Sequence, residues 1–222
     1  ENAISSFQFP ISTFFIRDRN MTTVAISAAE VKQLREKTGA GMMECKAALT
    51  EANGNMEEAI TLLRKRGLAQ AAKKTGRSTD QGLIGHYIHM GGKIGVLVEV
   101  NCESDFVART DDFQAMVKEI AMHIAAAAPQ YVRRDDVPAD VLAREKDVYT
   151  GQMAGSGKPA NVIEKIVEGK LNSFYEQTCL LDQPSIRDPK VTIGQMVTAA
   201  IAKLGENISI ARFARFKVGE GA

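Results

Sequence analysis

The clearest hydrophobic pattern in the chain is a pair of strand-like runs on either side of two glycines. "LIGHYIHM" (83–90) and "KIGVLVEV" (93–100) flank Gly91-Gly92, an arrangement typical of a β-hairpin with a tight turn. This turn would pair Met90 with Lys93 and place His86 opposite Leu97. Because side chains alternate along a strand, a core face is predicted from Leu83, Tyr87, Ile94, Val96, Val98 and Val100, and a mixed face from Ile84, His86, Leu97 and Glu99.

The region before the hairpin shows helical periodicity in three short stretches. Ser27 and Glu30 have the spacing of a capping box, and "TGAG" (38–41) separates the first helix from a second over about 42–52. Asn55 is a suitable cap for a third helix, and Gly67 is typical of a helix end. These signals predict a three-helix module over residues 21–68. Residues 1–20 lack a clear period and precede Met21, which is typical of a natural start, so they are left unassigned.

The chain after the module alternates between a polar segment, helices and strands. Residues 69–82 are interpreted as a linker with a helical start, and the hairpin opens a second domain over 83–222. Asp111 or Asp112 is expected to cap a helix that reaches Ala128 before Pro129. Two helical stretches, 138–153 and 160–173, are joined by "AGSGKP" and predict a helical hairpin. A helix from Ile193 to Leu204, ended by Gly205, and a final strand within "NISIARFARFKV" complete an α+β domain with a small antiparallel sheet covered by helices.

Composition indicates an ordinary globular protein. The 222 residues carry a net charge of +1 and 25% charged residues, which gives no global basic field for nucleic acid. No apolar run approaches the roughly 20 residues of a membrane-spanning helix. Three widely spaced cysteines fit a reducing compartment better than a disulfide framework. We therefore expect a cytoplasmic protein that contacts neither nucleic acid nor membrane directly.

Residue patterns for catalysis, metal or cofactor binding are weak. His86 and His89 lie three apart on a strand and point to opposite faces, so they do not share a metal easily. In the predicted register Cys102 lies five residues beyond the position opposite His86, about 16 Å at the rise of a strand. "GSGKP" (155–159) lacks the spacer of a phosphate-binding loop. We expect no enzyme activity, no metal and no cofactor, and the pattern favours a binding protein.

Two groups of residues are candidates for a binding surface. Met42 and Met43 begin the second predicted helix beside two glycines, with Lys46 one turn further on. Adjacent helical positions lie about 100° apart, so one methionine is expected in the core and the other at the surface. In "NCESDFVART" (101–110), Asp105 and Phe106 directly follow the predicted strand. Phe106 either folds back into the core or is held out for a partner.

These same segments resemble a known family. "VKQLREKTGAGMMECKAALTEANGNMEEAITLLRKRG" is similar to the amino-terminal domain of bacterial elongation factor Ts, a three-helix module of the ubiquitin-associated type. "GVLVEVNCESDFVART", "VEGKLNSFYEQTCLLDQP" and "LGENISIARFARF" are similar to its core. The family usually has Thr-Asp-Phe where this chain has Ser104, Asp105 and Phe106. The resemblance covers roughly residues 24–218.

The resemblance implies guanine-nucleotide exchange on elongation factor Tu. It implies that Asp105 and Phe106 form a wedge inserted near the magnesium and phosphate site of that GTPase, and that Met42, Met43 and Lys46 bind its nucleotide-binding domain. Two alternatives stay open: a ubiquitin-type adaptor that uses only the three-helix module, and a small enzyme with a His/Cys site.

The sequence also predicts self-association. Longer relatives carry two similar core halves, whereas this chain has one hairpin and one Asp-Phe motif and looks like a short form. The final strand is long and apolar on one face, with Phe213 and Phe216 among its residues, and an unpaired strand of this kind favours pairing. We expect a homodimer formed through the core sheets, unless helices around 138–173 cover the edge.

Overall fold

The first three helices enclose a small core of their own. A computed structural model describes residues 25–220, so the unassigned residues 1–20 lie outside the described part of the chain. The helices are α1 (Ala28–Thr38), α2 (Met42–Glu51) and α3 (Met56–Lys74). Ser27 Oγ accepts a hydrogen bond from the Glu30 amide, and the Glu30 carboxylate accepts one from the Ser27 amide at 2.8 Å. These reciprocal bonds confirm the predicted capping box. Their buried residues are Val31, Leu34, Cys45, Ala48, Leu49, Ala52, Ala59 and Leu63.

The predicted end of the third helix at Gly67 is wrong, because α3 continues for two more turns to Lys74. Gly67 lies where α3 crosses a helix of the second domain, and a Cβ atom built there would lie 3.2 Å from the Cβ of Ala202. The glycine therefore serves close packing of two helices rather than termination. Residues 69–74 of the predicted linker are helical, and Ala71 is buried in the main core.

The second domain contains a three-stranded antiparallel sheet. Its strands are β1 (Gln81–Ile88), β2 (Ile94–Cys102) and β3 (Ile208–Lys217), in the order β1-β2-β3. His86 pairs with Leu97, which confirms the predicted hairpin register. Gly91 and Gly92 both have positive φ, 89° and 69°, as the tight hairpin turn requires. A bulge between Glu99 and Val100 shifts the register against β3.

In the described part of the second domain, five helices and two short 3₁₀ turns accompany the sheet. They are α4 (Asp105–Ala108), α5 (Asp111–Ala127), α6 (Ala139–Gly151), α7 (Ala160–Thr178) and α8 (Ile193–Leu204), with turns at Arg134–Asp136 and Leu180–Asp182. Helix α5 is capped by Thr110, whose hydroxyl accepts a bond from the Phe113 amide, and not by Asp111 or Asp112 as predicted. Helices α6 and α7 form the predicted hairpin, although α7 extends five residues beyond the expected end at 173.

The main core lies between the sheet and the helices α5 and α8. Val96, Val98 and Val100 of β2 are buried there, which confirms the predicted core face of the hairpin. Phe213 of β3 packs against this core within one chain, so of the two aromatic residues that favoured pairing of the final strand only Phe216 is largely exposed. The α+β class is confirmed. Within residues 25–220, no helix combines the length and apolar character needed to cross a membrane.

Candidate partner-binding site

Phe106 lies on a four-residue helix, α4, that begins directly after β2. Ser104 caps this helix: its hydroxyl accepts a bond from the Val107 amide at 3.4 Å. Val107 and Ala108 are buried in the main core, whereas Phe106 is 77% exposed. Two residues thus anchor the helix while the aromatic ring points to solvent, so Phe106 does not fold back into the core.

Asp105 is exposed beside Phe106 and forms an ion pair with Arg109. The carboxylate and the guanidinium lie 2.5 Å apart, one helical turn from each other, and both side chains are mostly in solvent. Exposed pairs of this kind contribute little to stability, typically about 0–1 kcal/mol. The pair therefore leaves Asp105 available to bond to another molecule.

The base of α4 is held by a set of hydrogen bonds that the local sequence does not predict. Ser104 donates its hydroxyl to Glu206 Oε1 at 2.6 Å and its amide to Glu206 Oε2 at 3.0 Å. In return the Asn207 amide donates to Glu103 Oε1 at 2.6 Å, and this bond is the main reason that the pKa of Glu103 is lowered. The residues are about one hundred positions apart, so local sequence patterns carry no signal for the contact.

The second predicted group, on α2, is also at the surface. Met42 is 44% exposed, Met43 is 76% exposed, and Lys46 is exposed. The prediction that one methionine lies in the core is therefore wrong. Met42 lies on the same helical face as the buried residues Cys45 and Leu49. It is in the first turn of α2, however, where the core of the module ends.

The geometry does not support cysteine or metal chemistry in the described part of the chain. Cys102 is fully buried and donates its thiol to the Ser104 carbonyl at 3.0 Å. Burial, and then the charge of Glu206, raises the pKa of Cys102, which disfavours the thiolate needed for nucleophilic attack. Residues 25–220 contain no group of three or more His, Cys, Asp or Glu side chains arranged to hold a metal ion.

Comparison with known proteins agrees with the resemblance of the motifs. The profile of the family described as "Elongation factor TS" matches residues 14–220. Elongation factor Ts of Geobacter sulfurreducens is 59% identical over 198 residues, which is 89% of this chain and 92% of that protein. That of Solibacter usitatus is 60% identical over 195 residues (88% and 92%), and that of Fervidobacterium nodosum is 62% identical over 195 residues (88% and 99%). The chain belongs to the elongation factor Ts family.

Proposed function

We propose that this protein is a guanine-nucleotide exchange factor for elongation factor Tu and that Phe106 is the residue that drives exchange. The observation that carries this proposal is the contrast within α4. Phe106 is 77% exposed, whereas its neighbours Val107 and Ala108 are buried. A large aromatic side chain on an anchored helix is suited to insertion into a partner. Burying a phenylalanine side chain contributes about 1.5–3 kcal/mol, which offsets the weakening of the partner's contacts to GDP.

Insertion of such a wedge explains exchange without any chemistry by this chain. A GTPase holds GDP through backbone amides, a lysine and a magnesium ion that bridges the phosphates. If Phe106 enters between elements that form this site, and Asp105 bonds to the displaced segment, those contacts are weakened and GDP dissociates faster. By linkage, GDP then weakens the binding of this protein to elongation factor Tu by the same factor.

The three-helix module supplies the second contact in this proposal. Met42 and Met43 are unbranched, adaptable side chains that suit a binding surface, and both are exposed beside Lys46. We assign them to docking on the nucleotide-binding domain of elongation factor Tu. The adaptor alternative assigns all binding to this module, but it leaves the exposure of Phe106 without a role.

A further part of the proposal is a homodimer formed through the outer face of the sheet, the face turned away from α5 and α8. Four large apolar side chains on this face are exposed by half or more: Ile84, Ile88, Leu97 and Phe216. Hairpin α6–α7 packs mainly on itself and on the turn at Leu180–Asp182 rather than over this face. An apolar face of this kind on a small sheet favours burial against a second copy.

The function is tested by stopped-flow release of a fluorescent GDP from elongation factor Tu. We expect release to accelerate with the concentration of this protein and to reach a plateau, as exchange through a ternary complex requires. Unchanged release at every concentration would refute the exchange function. The protein acts in translation elongation on this account, and its three free, buried thiols suit the reducing cytoplasm.

A further inference from the structure

The connection between α8 and β3, residues 205–207, contacts both the start of α4 and the end of the three-helix module. We call it the α8–β3 turn. Glu206 of this turn binds both the amide and the hydroxyl of Ser104, the residue that caps α4. Asn207 donates its amide to Glu103 on the same strand end. Each side thus offers a carboxylate to a backbone amide of the other, so the two segments are bonded reciprocally.

Helix α4 depends on this attachment for its orientation. A single helical turn of four residues does not hold its conformation in isolation. Its fixed points are the buried side chains of Val107 and Ala108 and the cap at Ser104. Hydrogen bonds that involve a charged carboxylate are shorter and stronger than neutral ones. Glu206 therefore restrains Ser104, the residue directly before Asp105 and Phe106.

The same turn holds the end of α3, which carries the three-helix module. The Lys74 ammonium donates to the carbonyl oxygen of Gly205. The Asn207 side-chain amide donates to the Arg77 carbonyl oxygen at 2.9 Å, and the Arg77 guanidinium lies 3.5 Å from Glu103. One turn therefore fixes the position of α4 relative to the last residues of α3.

We propose that Glu206 is a positioning residue for nucleotide exchange, which sets the direction of Phe106 without touching the partner. The proposal rests on the proposed function of Phe106. A wedge acts only if its ring meets the correct gap, and small misplacements of reacting or binding groups have large effects on rate. Loss of the Glu206 carboxylate is expected to lower the rate of GDP release at saturation, while docking through α2 keeps the half-saturating concentration nearly unchanged.

The test compares Glu206→Ala with Glu206→Gln in stopped-flow GDP release over a range of exchange-factor concentrations. Glu206→Ala is expected to lower the saturating rate about tenfold or more. Glutamine restores much of the rate, because its carbonyl accepts the Ser104 amide while its NH₂ donates to the Ser104 hydroxyl. A purely structural defect would instead reduce the active fraction and leave the two variants alike. Equal rates for Glu206→Ala and the wild-type protein would overturn the positioning role.

Phe106→Ala and the double variant Phe106→Ala/Glu206→Ala separate this proposal from the function on which it rests. If Glu206 acts through Phe106, adding Glu206→Ala to Phe106→Ala causes little further loss. A full additional loss in the double variant would overturn the positioning role alone. Full exchange by Phe106→Ala would overturn the wedge and this proposal together. Should Glu206→Ala fail to fold, Ser104→Ala removes the hydroxyl bond to Glu206 together with the cap on the Val107 amide. It is expected to lower the saturating rate in the same direction, and an unchanged rate would contradict the proposal.

Discussion

His123 is a titratable side chain enclosed in the protein, on α5. It is 1% exposed, and its Nε2 atom lies 2.9 Å from the Oε1 atom of Gln183. Because the Gln183 NH₂ group donates to the Gln177 carbonyl, Oε1 is the acceptor and Nε2 carries the proton. Its Nδ1 atom has no hydrogen-bond partner within residues 25–220. Burial, opposed by the Gln183 bond and the charge of Glu119, lowers the pKa of His123.

A lowered histidine pKa predicts that the protein loses stability in mild acid. Above about pH 6.5, the ordinary histidine pKa, the side chain is neutral in both folded and unfolded chains. Below it the unfolded chain takes up a proton that the folded protein resists, so the free energy of unfolding falls until the pH reaches the lowered folded-state pKa. Urea unfolding between pH 5 and pH 7.5 measures this slope, which is expected to be shallower in His123→Asn.

The exposed His89, which directly follows β1, provides the matched control. His89→Asn leaves the buried His123 in place and is therefore expected to keep the slope of the wild-type protein. Equal slopes for the His123→Asn variant and the wild-type protein would show that burial of His123 does not govern this pH dependence.

At the scale of secondary-structure elements, the contact between α3 and α8 joins the three-helix module to the core domain. Gly67 allows this contact, since a Cβ atom built at this position would lie 3.2 Å from the Cβ atom of Ala202. Gly67→Leu is expected to push the helices apart and lower the free energy of unfolding by about 1–3 kcal/mol, as overpacking does. It should also raise the half-saturating concentration for exchange, because the residues on α2 that we propose as docking residues move relative to Phe106.

Gly169 is a matched control within α7, where a Cβ atom meets nothing within 4 Å. Gly169→Leu is expected to leave the free energy of unfolding unchanged or to raise it by up to about 1 kcal/mol, because leucine has a higher helix propensity than glycine. The free energies of unfolding of Gly67→Leu and Gly169→Leu, measured by thermal or urea unfolding, test this prediction. If Gly67→Leu is as stable as Gly169→Leu, α3 and α8 do not pack as described.

Local patterns predicted the elements well and the contacts between distant elements poorly. The hairpin register followed from Gly91-Gly92, and the cap at Ser27 followed from Glu30, because both signals lie within a few residues. A glycine at position 67 is compatible both with the end of a helix and with close packing of two helices. Only the position of α8, which is distant in the sequence, distinguishes these two roles. The bonds between Glu206 and Ser104 join segments about one hundred residues apart, so no local spacing reveals them.

In the candidate binding site as well, the local sequence predicts the elements but not the contacts between them. The sequence identified Phe106 as a residue at the end of a strand, but whether its ring enters the core depends on which neighbours of α4 fill that space. Val107 and Ala108 do so, and Phe106 remains exposed. Likewise Cys45, Ala48 and Leu49 complete the core of the three-helix module, which leaves Met42 as well as Met43 at the surface.

For the whole molecule, the apolar outer face of the sheet predicts dimerisation. Leu97 lies on the central strand of this face and is 50% exposed. Light scattering at micromolar concentration is expected to give about twice the chain mass of 24.1 kDa for the wild-type protein. Leu97→Glu should give the single-chain mass, because a carboxylate buried without a partner is strongly unfavourable.

Val148 on α6 is similarly exposed, at 48%, but lies on the helical hairpin. Val148→Glu is therefore expected to remain dimeric. A mass near 24.1 kDa for the wild-type protein, together with full exchange activity, would refute the dimer.

The most direct test of the account is the saturating rate of GDP release from elongation factor Tu with Phe106→Ala, measured by stopped flow beside the melting temperature. Because Phe106 is exposed, its removal should leave the melting temperature nearly unchanged, whereas Phe113→Ala, at a fully buried position, should cost about 3–5 kcal/mol of stability. The account predicts a sharply lower rate for Phe106→Ala with intact stability. A rate equal to that of the wild-type protein would contradict it.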